Sequence, residues 1–323
     1  MKNISQTKNN INKQIIGYSN LIINLKHIKS NWKYLSSLIK NIELSASIKA
    51  NAYGLGFAEI SKTLKSAGCN SFFVADYREA LELREKYKKI NIYVLNGAFN
   101  SLVAKILIEK NIFIVLNNKN DLEILKKISK VIRAKVKCAI QFDTGINRLG
   151  LIAKDIDYIK KSMLSFLDVK LIISHLSNSE NISSKINKDQ LNRFNFIKHQ
   201  FSNFKSLRYS LSNSNGITLG HPFYFDMIRA GGFLYGLELV KNKKLKIKNT
   251  VSLKAKIIQV RIVARGEAIG YGSSYIVKKQ SRIAIIGIGY ADGLSRNYNG
   301  KVFLKGKKAN FVGKISMDLS NID

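Results

Sequence analysis

The sequence of residues 43–87 is ELSASIKANAYGLGFAEISKTLKSAGCNSFFVADYREALELREKY. This stretch contains two short runs that are typical of strands, ELSASIKAN (43–51) and SFFVA (71–75). Each run precedes a segment, 57–68 or 76–87, in which apolar residues recur every three or four positions. That spacing places the apolar side chains on one face of a helix. The stretch therefore predicts two consecutive strand and helix units.

The same alternation continues along the chain. Six more strand-like runs follow: INIYVL (90–95), IFIVL (112–116), RAKVKCAIQF (133–142), VKLIISHL (169–176), SLRYSLS (206–212) and YFDMIRA (224–230). Eight such units in roughly 200 residues favour an α/β fold, a (β/α)8 TIM-type barrel. A doubly wound sheet is the alternative, because a strand count from one sequence is prone to error.

After about Leu239 the pattern changes to strand-like runs separated by turns that contain glycine. The runs are VSLKAKIIQVRIVA (251–264), RIAIIGIGYA (282–291), VFLKG (302–306) and ANFVGKI (309–315). They predict a smaller all-β domain. We therefore expect a flexible N-terminal arm at 1–14, a barrel at 15–240 and a β-domain at 241–323, with the lysine-rich KNKKLKIKN (241–249) at the boundary.

The chain is strongly basic, with 54 lysine and arginine residues against 21 aspartate and glutamate residues and a net charge of +33. Such a balance can indicate binding to nucleic acid or to an acidic membrane. The lysines are scattered along the chain rather than gathered in one arm or stripe, which argues against a dedicated nucleic-acid site. The single proline, Pro222, and the abundance of Lys, Asn and Ile are typical of an AT-rich coding sequence instead.

The cysteines and the N-terminus indicate the cellular compartment of the protein. Cys69 and Cys138 lack the spacing of a metal site, so we expect two buried free thiols, no metal and a reducing cytoplasm. The polar, basic segment MKNISQTKNNINKQ (1–14) is not followed by the apolar core of a secretory signal. No apolar run is long enough to span a bilayer, so we predict neither a signal peptide nor a membrane partner.

In a (β/α)8 barrel the active site lies at the C-terminal ends of the strands. Five of the eight predicted strands end in residues that can carry chemistry: Lys49; Asp143, Thr144, Gly145 and Arg148; His175; Asn213 and Ser214; and Arg229, Gly231 and Gly232. The usual phosphate site of such barrels follows the last two strands, where Ser214 and the glycine pair lie. Each residue alone has an ordinary structural explanation, such as a solvated lysine or a hydrogen-bonded structural histidine. Together they favour a cofactor or substrate that carries a phosphate.

Two segments closely resemble signatures of the alanine racemase family. KANAYGLG (49–56) is similar to the segment around the lysine that binds pyridoxal 5′-phosphate (PLP), and DTGINRLG (143–150) is similar to the DTGM-x-RLG segment, with Ile146 in place of methionine. Six more segments follow in family order: SHLSNSE (174–180), SNSNG (212–216), RAGGFLYG (229–236), IGYGSSY (269–275), GYADG (289–293) and VGKISMD (312–318). The resemblance starts at about Tyr18, and eight ordered motifs are far more specific than any one of them.

This resemblance implies an isomerase that interconverts L-alanine and D-alanine and so supplies D-alanine for cell-wall peptidoglycan. It also implies the family's barrel and C-terminal β-domain, PLP as the cofactor, and a homodimer with shared active sites. Proton transfer at the two faces of Cα needs two bases, because one group cannot easily reach both. The resemblance assigns these roles to Lys49, which also binds PLP covalently, and to Tyr271 of the partner subunit.

The resemblance also assigns the other contacts. The residues implied at the cofactor are Tyr53, Ser214, Gly231 and Gly232 at the phosphate, Arg229 at the pyridine nitrogen, and His175 and Asn213 beside them. Arg148 and the backbone N–H of Met317 are implied to hold the substrate carboxylate, and Tyr290 to line the entrance. Because a guanidinium keeps its proton, Arg229 should leave the ring nitrogen unprotonated, which suppresses side reactions such as transamination.

The sequence departs from the family pattern in two places. Gln141 stands where the family often has a lysine that becomes carbamylated and orients the arginine. A glutamine cannot be carbamylated, but we expect its amide oxygen to accept a hydrogen bond from Arg148. The sequence also stops at Asp323, soon after the MD motif, where the family usually continues with more β-structure. We therefore expect an incomplete β-domain, a weak dimer and poor turnover.

Alternative functions stay open. One is a truncated remnant, inactive or weakly active, that still binds PLP. Another is a PLP-binding barrel without racemase activity, although such proteins lack the β-domain and its Tyr271 segment. A third is a related decarboxylase, which should place an acidic residue, rather than Arg229, at the pyridine nitrogen. Serine is open as a substrate beside alanine.

Overall fold

The structure, a computed structural model, describes residues 17–237 and 245–323. The predicted N-terminal arm (1–14) and residues 241–244 of the predicted boundary lie outside the described residues. The chain divides into two compact units. The larger one is Asn24–Thr250, and the smaller one joins Val251–Asp323 to the described residues before Asn24.

The larger unit is built around eight parallel strands. The first strand of the described residues, β1 (Ser19–Ile23), belongs to the smaller unit. The eight strands of the larger unit are β2 (Glu43–Ser47), β3 (Ser71–Val74), β4 (Asn91–Val94), β5 (Phe113–Leu116), β6 (Val136–Gln141), β7 (Leu167–Ile173), β8 (Arg208–Ser210) and β9 (Met227–Ala230). Their spatial order is β8-β7-β6-β5-β4-β3-β2-β9. All eight predicted strands are therefore present; each is shorter than predicted, and β7 begins two residues before the predicted start at 169.

The sheet closes on itself between its first and last strands. The N–H of Asp226 donates to the carbonyl oxygen of Tyr209 at 3.0 Å, and the N–H of Arg229 donates to that of Ser212 at 3.0 Å. A parallel bridge also joins Asn213 to Arg229. Closure confirms the barrel and rules out the doubly wound sheet, whose two edges would stay apart.

Within the described residues, seven right-handed α-helices accompany the strands: α1 (Leu25–Leu38), α2 (Phe57–Ser66), α3 (Tyr77–Lys86), α4 (Ser101–Glu109), α5 (Lys119–Ile132), α6 (Ile156–Ser165) and α7 (Lys185–Gln200). Four of them begin after a residue whose side chain accepts a hydrogen bond from the first turn: Asn24, Asp76, Asn100 and Asn118. Such caps satisfy N–H groups that have no partner within the helix. After β8 and β9, short 3₁₀ turns replace the helices.

The barrel interior is packed with apolar side chains from six strands. The buried cluster contains Phe73, Tyr93, Val115, Ala139, Leu171, Ile173 and Met227. The rings of Phe73 and Tyr93 stack with their centroids 4.6 Å apart. Because this layer leaves no open pore, the polar residues beyond the strand ends are the ones available for chemistry.

The smaller unit is an antiparallel β-structure, as predicted. Its remaining strands are β10 (Val251–Ala255), β11 (Ile257–Val263), β12 (Ala268–Ile269), β13 (Tyr275–Ile276), β14 (Ser281–Ile286), β15 (Lys301–Leu304), β16 (Lys307–Val312) and β17 (Ser320–Ile322). Five of them form one sheet in the order β11-β14-β17-β16-β15. Two buried clusters, one around Ile283 and one around Ile286, form its core.

Two details of the smaller unit differ from the expectation. The predicted barrel starts at residue 15, but the described residues before Asn24 belong to the smaller unit. There β1 pairs in antiparallel register with β10, and Ser19 lies opposite Ala255. The predicted strand 251–264 is two strands, and they are separated at Lys256, whose N–H donates to the carbonyl oxygen of Tyr18 at 2.8 Å.

Two further findings concern the whole described chain. Cys69 and Cys138 are buried free thiols, and burial raises the pKa of both, as expected for structural cysteines. Within residues 17–237 and 245–323, no helix has the length and apolar character needed to cross a membrane.

Candidate active site

Lys49 lies two residues beyond the end of β2, at the start of a turn with an unusual backbone. Residues 50–53 have φ angles between 53° and 59°, in the left-handed region. For L-residues this conformation costs roughly 1–2 kcal/mol each, so four in a row cost about 4–8 kcal/mol. The turn closes through the N–H of Gly54, which donates to the carbonyl oxygen of Ala50 at 2.8 Å. Contacts elsewhere must stabilise this turn, and it explains why the predicted strand 43–51 ends early.

Burial and neighbouring cations change the pKa of Lys49. Burial, followed by the charges of Arg148 and Arg229, lowers the pKa of Lys49, whereas Glu79 acts in the opposite direction. Burial and the neighbouring cations, Arg229 first among them, lower the pKa of His175 to about 3. The imidazole is therefore neutral at physiological pH. A lysine with a lowered pKa has a larger fraction of free amine, which can act as a nucleophile and as a base.

Arg229 is the buried cation of this group, with 6 % of its surface exposed. Its Nη1 donates to the carbonyl oxygen of Ser210 at 2.8 Å, and its Nη2 donates to that of Ser174. The same Nη2 lies 3.4 Å from Nδ1 of His175. Burial lowers the pKa of Arg229 to about 9, which still leaves the guanidinium charged at neutral pH. The barrel thus fixes a permanent positive charge beside His175.

Backbone N–H groups and hydroxyls gather where the sequence predicts a phosphate site. The N–H groups of Gly231 and Phe233 both donate to Oγ of Ser214, at 2.7 and 3.3 Å. A Cβ on Gly231 would lie 2.3 Å from the hydroxyl of Tyr53, so only glycine permits this approach. The ring of Tyr53 packs on that of Tyr235, with centroids 4.6 Å apart. Because its oxygen accepts from both N–H groups, the Ser214 hydroxyl can donate its own proton to an anion such as a phosphate.

Gly232 differs from its neighbour. A Cβ there would make only ordinary contact with Leu237, at 3.5 Å. The structure therefore gives no steric reason for a glycine at 232, and its phosphate contact stays a prediction.

Arg148 ends a loop that a single carboxylate organises. Oδ1 of Asp143 accepts from the N–H groups of Gly145 and Ile146 at 2.7 and 3.0 Å, and Oδ2 accepts from the N–H of Arg148 at 3.2 Å. These bonds fold the chain back after β6 and fix the backbone from which the Arg148 side chain extends.

The expected contact between Gln141 and Arg148 is not the one observed. Nε2 of Gln141 donates to the carbonyl oxygen of Leu149 at 2.7 Å. Within the described chain, no hydrogen bond joins the Gln141 side chain to the Arg148 guanidinium. Gln141 thus holds the backbone next to Arg148 rather than its side chain, because the loop presents a carbonyl oxygen to the buried amide.

Asn213 is engaged in loop contacts. Its Oδ1 accepts from Oγ of Ser179 at 2.9 Å and from the N–H of Gly216 at 3.0 Å, and its Nδ2 donates to the carbonyl oxygen of Leu176 at 3.4 Å. The residue therefore links the segments that follow β7 and β8. A contact with the cofactor stays a prediction.

The other three predicted site residues belong to the smaller unit. Tyr271 starts a short 3₁₀ turn and is 65 % exposed, so its hydroxyl is accessible. Tyr290 and Met317 lie side by side: the N–H of Tyr290 donates to the carbonyl oxygen of Ser316, and the N–H of Ala291 to that of Met317. The place of these three residues relative to the barrel site stays a prediction.

Sequence reasoning missed two polar side chains of the site, Glu79 and Gln190. Oε1 of Gln190 accepts from the N–H of Ser177 at 2.8 Å, and its Nε2 donates to the carbonyl oxygen of His175 at 2.9 Å and to Oγ1 of Thr144 at 3.2 Å. It thereby joins the loop of Arg148 to the segment of His175. Its position on α7 carries no local signal, whereas Glu79 follows the cap Asp76 by three residues, a spacing that indicates a capping box.

A barrel of this kind, with a lysine of lowered pKa, a buried arginine and an anion cradle beyond its strands, defines the class of PLP enzymes built on a (β/α)8 barrel. Two family models match the chain: "Alanine racemase, N-terminal domain" over residues 23–239 and "Alanine racemase, C-terminal domain" over residues 250–323. The chain belongs to the alanine racemase family. It is an amino-acid racemase, an isomerase whose cofactor is PLP.

Relatives and solved structures agree with this assignment. The alanine racemase of Rickettsia bellii (strain RML369-C) is 43 % identical over 294 residues, 89 % of this chain and 71 % of the relative. That of Rickettsia africae (strain ESF-5) is 42 % identical over 306 residues, 93 % of this chain and 83 % of the relative. The crystal structure of alanine racemase from Bartonella henselae with covalently bound pyridoxal phosphate has a TM-score of 0.88 at 34 % identity, and the match covers 94 % of this chain and 85 % of that one.

Proposed function

We propose that this enzyme interconverts L-alanine and D-alanine by a two-base proton transfer at Cα. One base is Lys49, which also binds the cofactor, and the other is Tyr271 of the partner subunit. The observation that carries the proposal is the cation group around Lys49. Burial together with Arg148 and Arg229 favours the free amine, which is the form that can take a proton.

The barrel residues fit PLP at three points. Lys49 would supply the amine for its aldehyde and Arg229 a fixed donor for its pyridine nitrogen. The Ser214 hydroxyl, which the N–H groups of Gly231 and Phe233 hold in place, would donate to its phosphate. When bound, PLP withdraws electrons from the Cα of an amino acid joined to it and so acidifies the Cα proton. Because Arg229 keeps its own proton, it donates a hydrogen bond without protonating the ring nitrogen.

The remaining roles concern the substrate. We assign the amino acid's carboxylate to Arg148, whose backbone Asp143 fixes, and to the N–H of Met317. Lys49 then holds or removes the proton on one face of Cα, and the partner subunit's Tyr271 acts on the other. Tyr290 lines the entrance. His175, neutral and next to Arg229, accepts or donates a hydrogen bond within the site without adding charge.

We also propose a homodimer, because the second base comes from the other subunit. Supporting this, the smaller unit exposes apolar side chains along β11, including Ile258, Val260 and Ile262, which a second copy would cover. The product D-alanine is assigned to cell-wall peptidoglycan synthesis, and the enzyme to the reducing cytoplasm, where its two thiols would stay free.

The experiment that tests this function is chiral analysis of alanine incubated with the PLP-loaded protein. Starting from either enantiomer, we expect the mixture to approach equal amounts of L-alanine and D-alanine, as the equilibrium of mirror-image molecules requires. L-Serine in a parallel reaction measures substrate breadth. Loss of alanine to a product other than its enantiomer, such as an amine, would contradict the proposal.

A further inference from the structure

Glu79 occupies the position of a capping-box carboxylate, but it accepts hydrogen bonds from other residues than the helix cap. It lies in the first turn of α3, three residues after the cap Asp76, and a carboxylate at that position usually accepts from the N–H of the cap residue. Here Oε2 accepts from the N–H of Ala75 at 2.8 Å and Oε1 accepts from the N–H of Asn51 at 2.9 Å. The carboxylate therefore joins the end of β3 to the turn between Lys49 and Tyr53.

Asn51 makes three hydrogen bonds that hold that turn in place. Its carbonyl oxygen accepts from the N–H of Gly56 at 3.1 Å, and its Oδ1 accepts from the N–H of Phe57 at the start of α2 at 2.9 Å. Its own N–H goes to Glu79. In the described part of the chain, no other side chain accepts a hydrogen bond from the backbone of residues 50–53. Glu79 is thus the external side-chain acceptor for a backbone that is costly to maintain.

Glu79 also matters through its charge. The charges of Arg148 and Arg229 lower the pKa of Lys49, and Glu79 is the carboxylate that acts against these two guanidinium groups. One side chain therefore has both a geometric and an electrostatic link to the amine.

We infer that Glu79 is a positioning residue of the racemase, which holds the left-handed turn so that Lys49 and Tyr53 present their side chains to the cofactor together. The inference rests on the proposed roles of Lys49 and Tyr53. It predicts that loss of the Glu79 carboxylate weakens PLP binding and changes the ionisation of Lys49, although Glu79 itself does not touch the substrate.

The test uses three variants of the full chain. Glu79→Ala removes both acceptor oxygens, Glu79→Gln keeps one carbonyl oxygen and removes the charge, and Glu82→Gln is the matched control. Glu82 lies on the same helix, one turn away, and pairs with Lys86 at the surface. PLP affinity is measured by absorbance titration of the PLP-free proteins, and their stability by urea unfolding. The ionisation of Lys49 is measured as the pH midpoint of its modification by an amine reagent.

We expect Glu79→Ala to weaken PLP binding about tenfold or more, because two hydrogen bonds to a charged acceptor are lost. We expect Glu79→Gln to have a smaller effect on affinity. Because Glu79 raises the pKa of Lys49, Glu79→Gln should also move the modification midpoint to lower pH. Glu82→Gln should match the wild type in both. A residue that only caps α3 would change stability without moving this midpoint.

The inference is overturned if both Glu79 variants bind PLP like Glu82→Gln and keep the wild-type midpoint, whatever their stability. If Glu79→Ala does not fold, the PLP affinity of Glu79→Gln relative to that of Glu82→Gln decides. Borohydride reduction of the wild-type protein, followed by peptide mapping, separates this failure from that of the proposed function. PLP fixed to a lysine other than Lys49 would overturn both, whereas PLP on Lys49 with unchanged Glu79 variants would overturn the inference alone.

Discussion

Gly231→Ala should weaken PLP binding, and Gly232→Ala is its matched control. A Cβ at 231 would lie 2.3 Å from the Tyr53 hydroxyl, against 3.4 Å for an ordinary contact, so the hydroxyl must move by about 1 Å. The Tyr53 ring cannot simply follow, because it packs on Tyr235. A forced fit of this kind costs about 1–3 kcal/mol, which corresponds to a loss of PLP affinity of roughly 5- to 150-fold.

The assay is absorbance titration of each PLP-free variant with PLP, together with urea unfolding in the absence of the cofactor. A Cβ at 232 would meet Leu237 only at 3.5 Å, so Gly232→Ala should bind PLP nearly as tightly as the wild type and be as stable or slightly more stable. Equal PLP affinities for the two variants would refute the argument that Tyr53 and Gly231 form the cradle by close approach.

Asp143→Asn should raise the KM for alanine about tenfold, with a smaller change in PLP affinity. With the amide oxygen in the place of Oδ1, the amide NH2 group would face the N–H of Arg148 and could not accept from it. Steady-state kinetics check this, and an unchanged KM counts against the loop's role. Tyr271→Phe should slow racemisation in both directions while PLP titrates as in the wild type, so undiminished turnover would remove Tyr271 as a base. The pKa of His175 is about 3 in the folded chain against an ordinary 6.5. Between these two pH values the unfolded chain binds more protons than the folded chain. The free energy of unfolding should therefore fall as the pH drops from 7 to 5. His175→Gln should remove about 1–2 kcal/mol of that loss in urea unfolding of the PLP-free protein, and identical pH dependence in both proteins would contradict it.

The sequence predicts the barrel well because its signals are local. Each parallel strand is a short apolar run, and the helices show their own periodicity and caps, as in α3 with Asp76. Strand β1 was not predicted, because Ser19 pairs with Ala255, which is far along the chain. The short apolar run of β1 also resembles many others in the sequence. Long-range pairing of this kind leaves little trace in a local pattern.

Some residues of the site could be predicted from the sequence, and others could not. Lys49, Arg229, Ser214 and Gly231 could be predicted because strand ends and family motifs point to them. The left-handed turn at residues 50–53 could not, because its sequence, Ala-Asn-Ala-Tyr, has no glycine, and a distant carboxylate supports the conformation. Gln141 was assigned the wrong partner for a similar reason, since the carbonyl oxygen of Leu149 reaches its amide only after the loop has folded.

We propose that Lys49 carries the cofactor of this racemase. Mass spectrometry of peptides from the PLP-loaded protein after borohydride reduction tests this role. We expect the added mass of reduced PLP on the peptide that contains Lys49, and none in Lys49→Ala. Reduced PLP on another lysine, or retained at the wild-type level in Lys49→Ala, would contradict it.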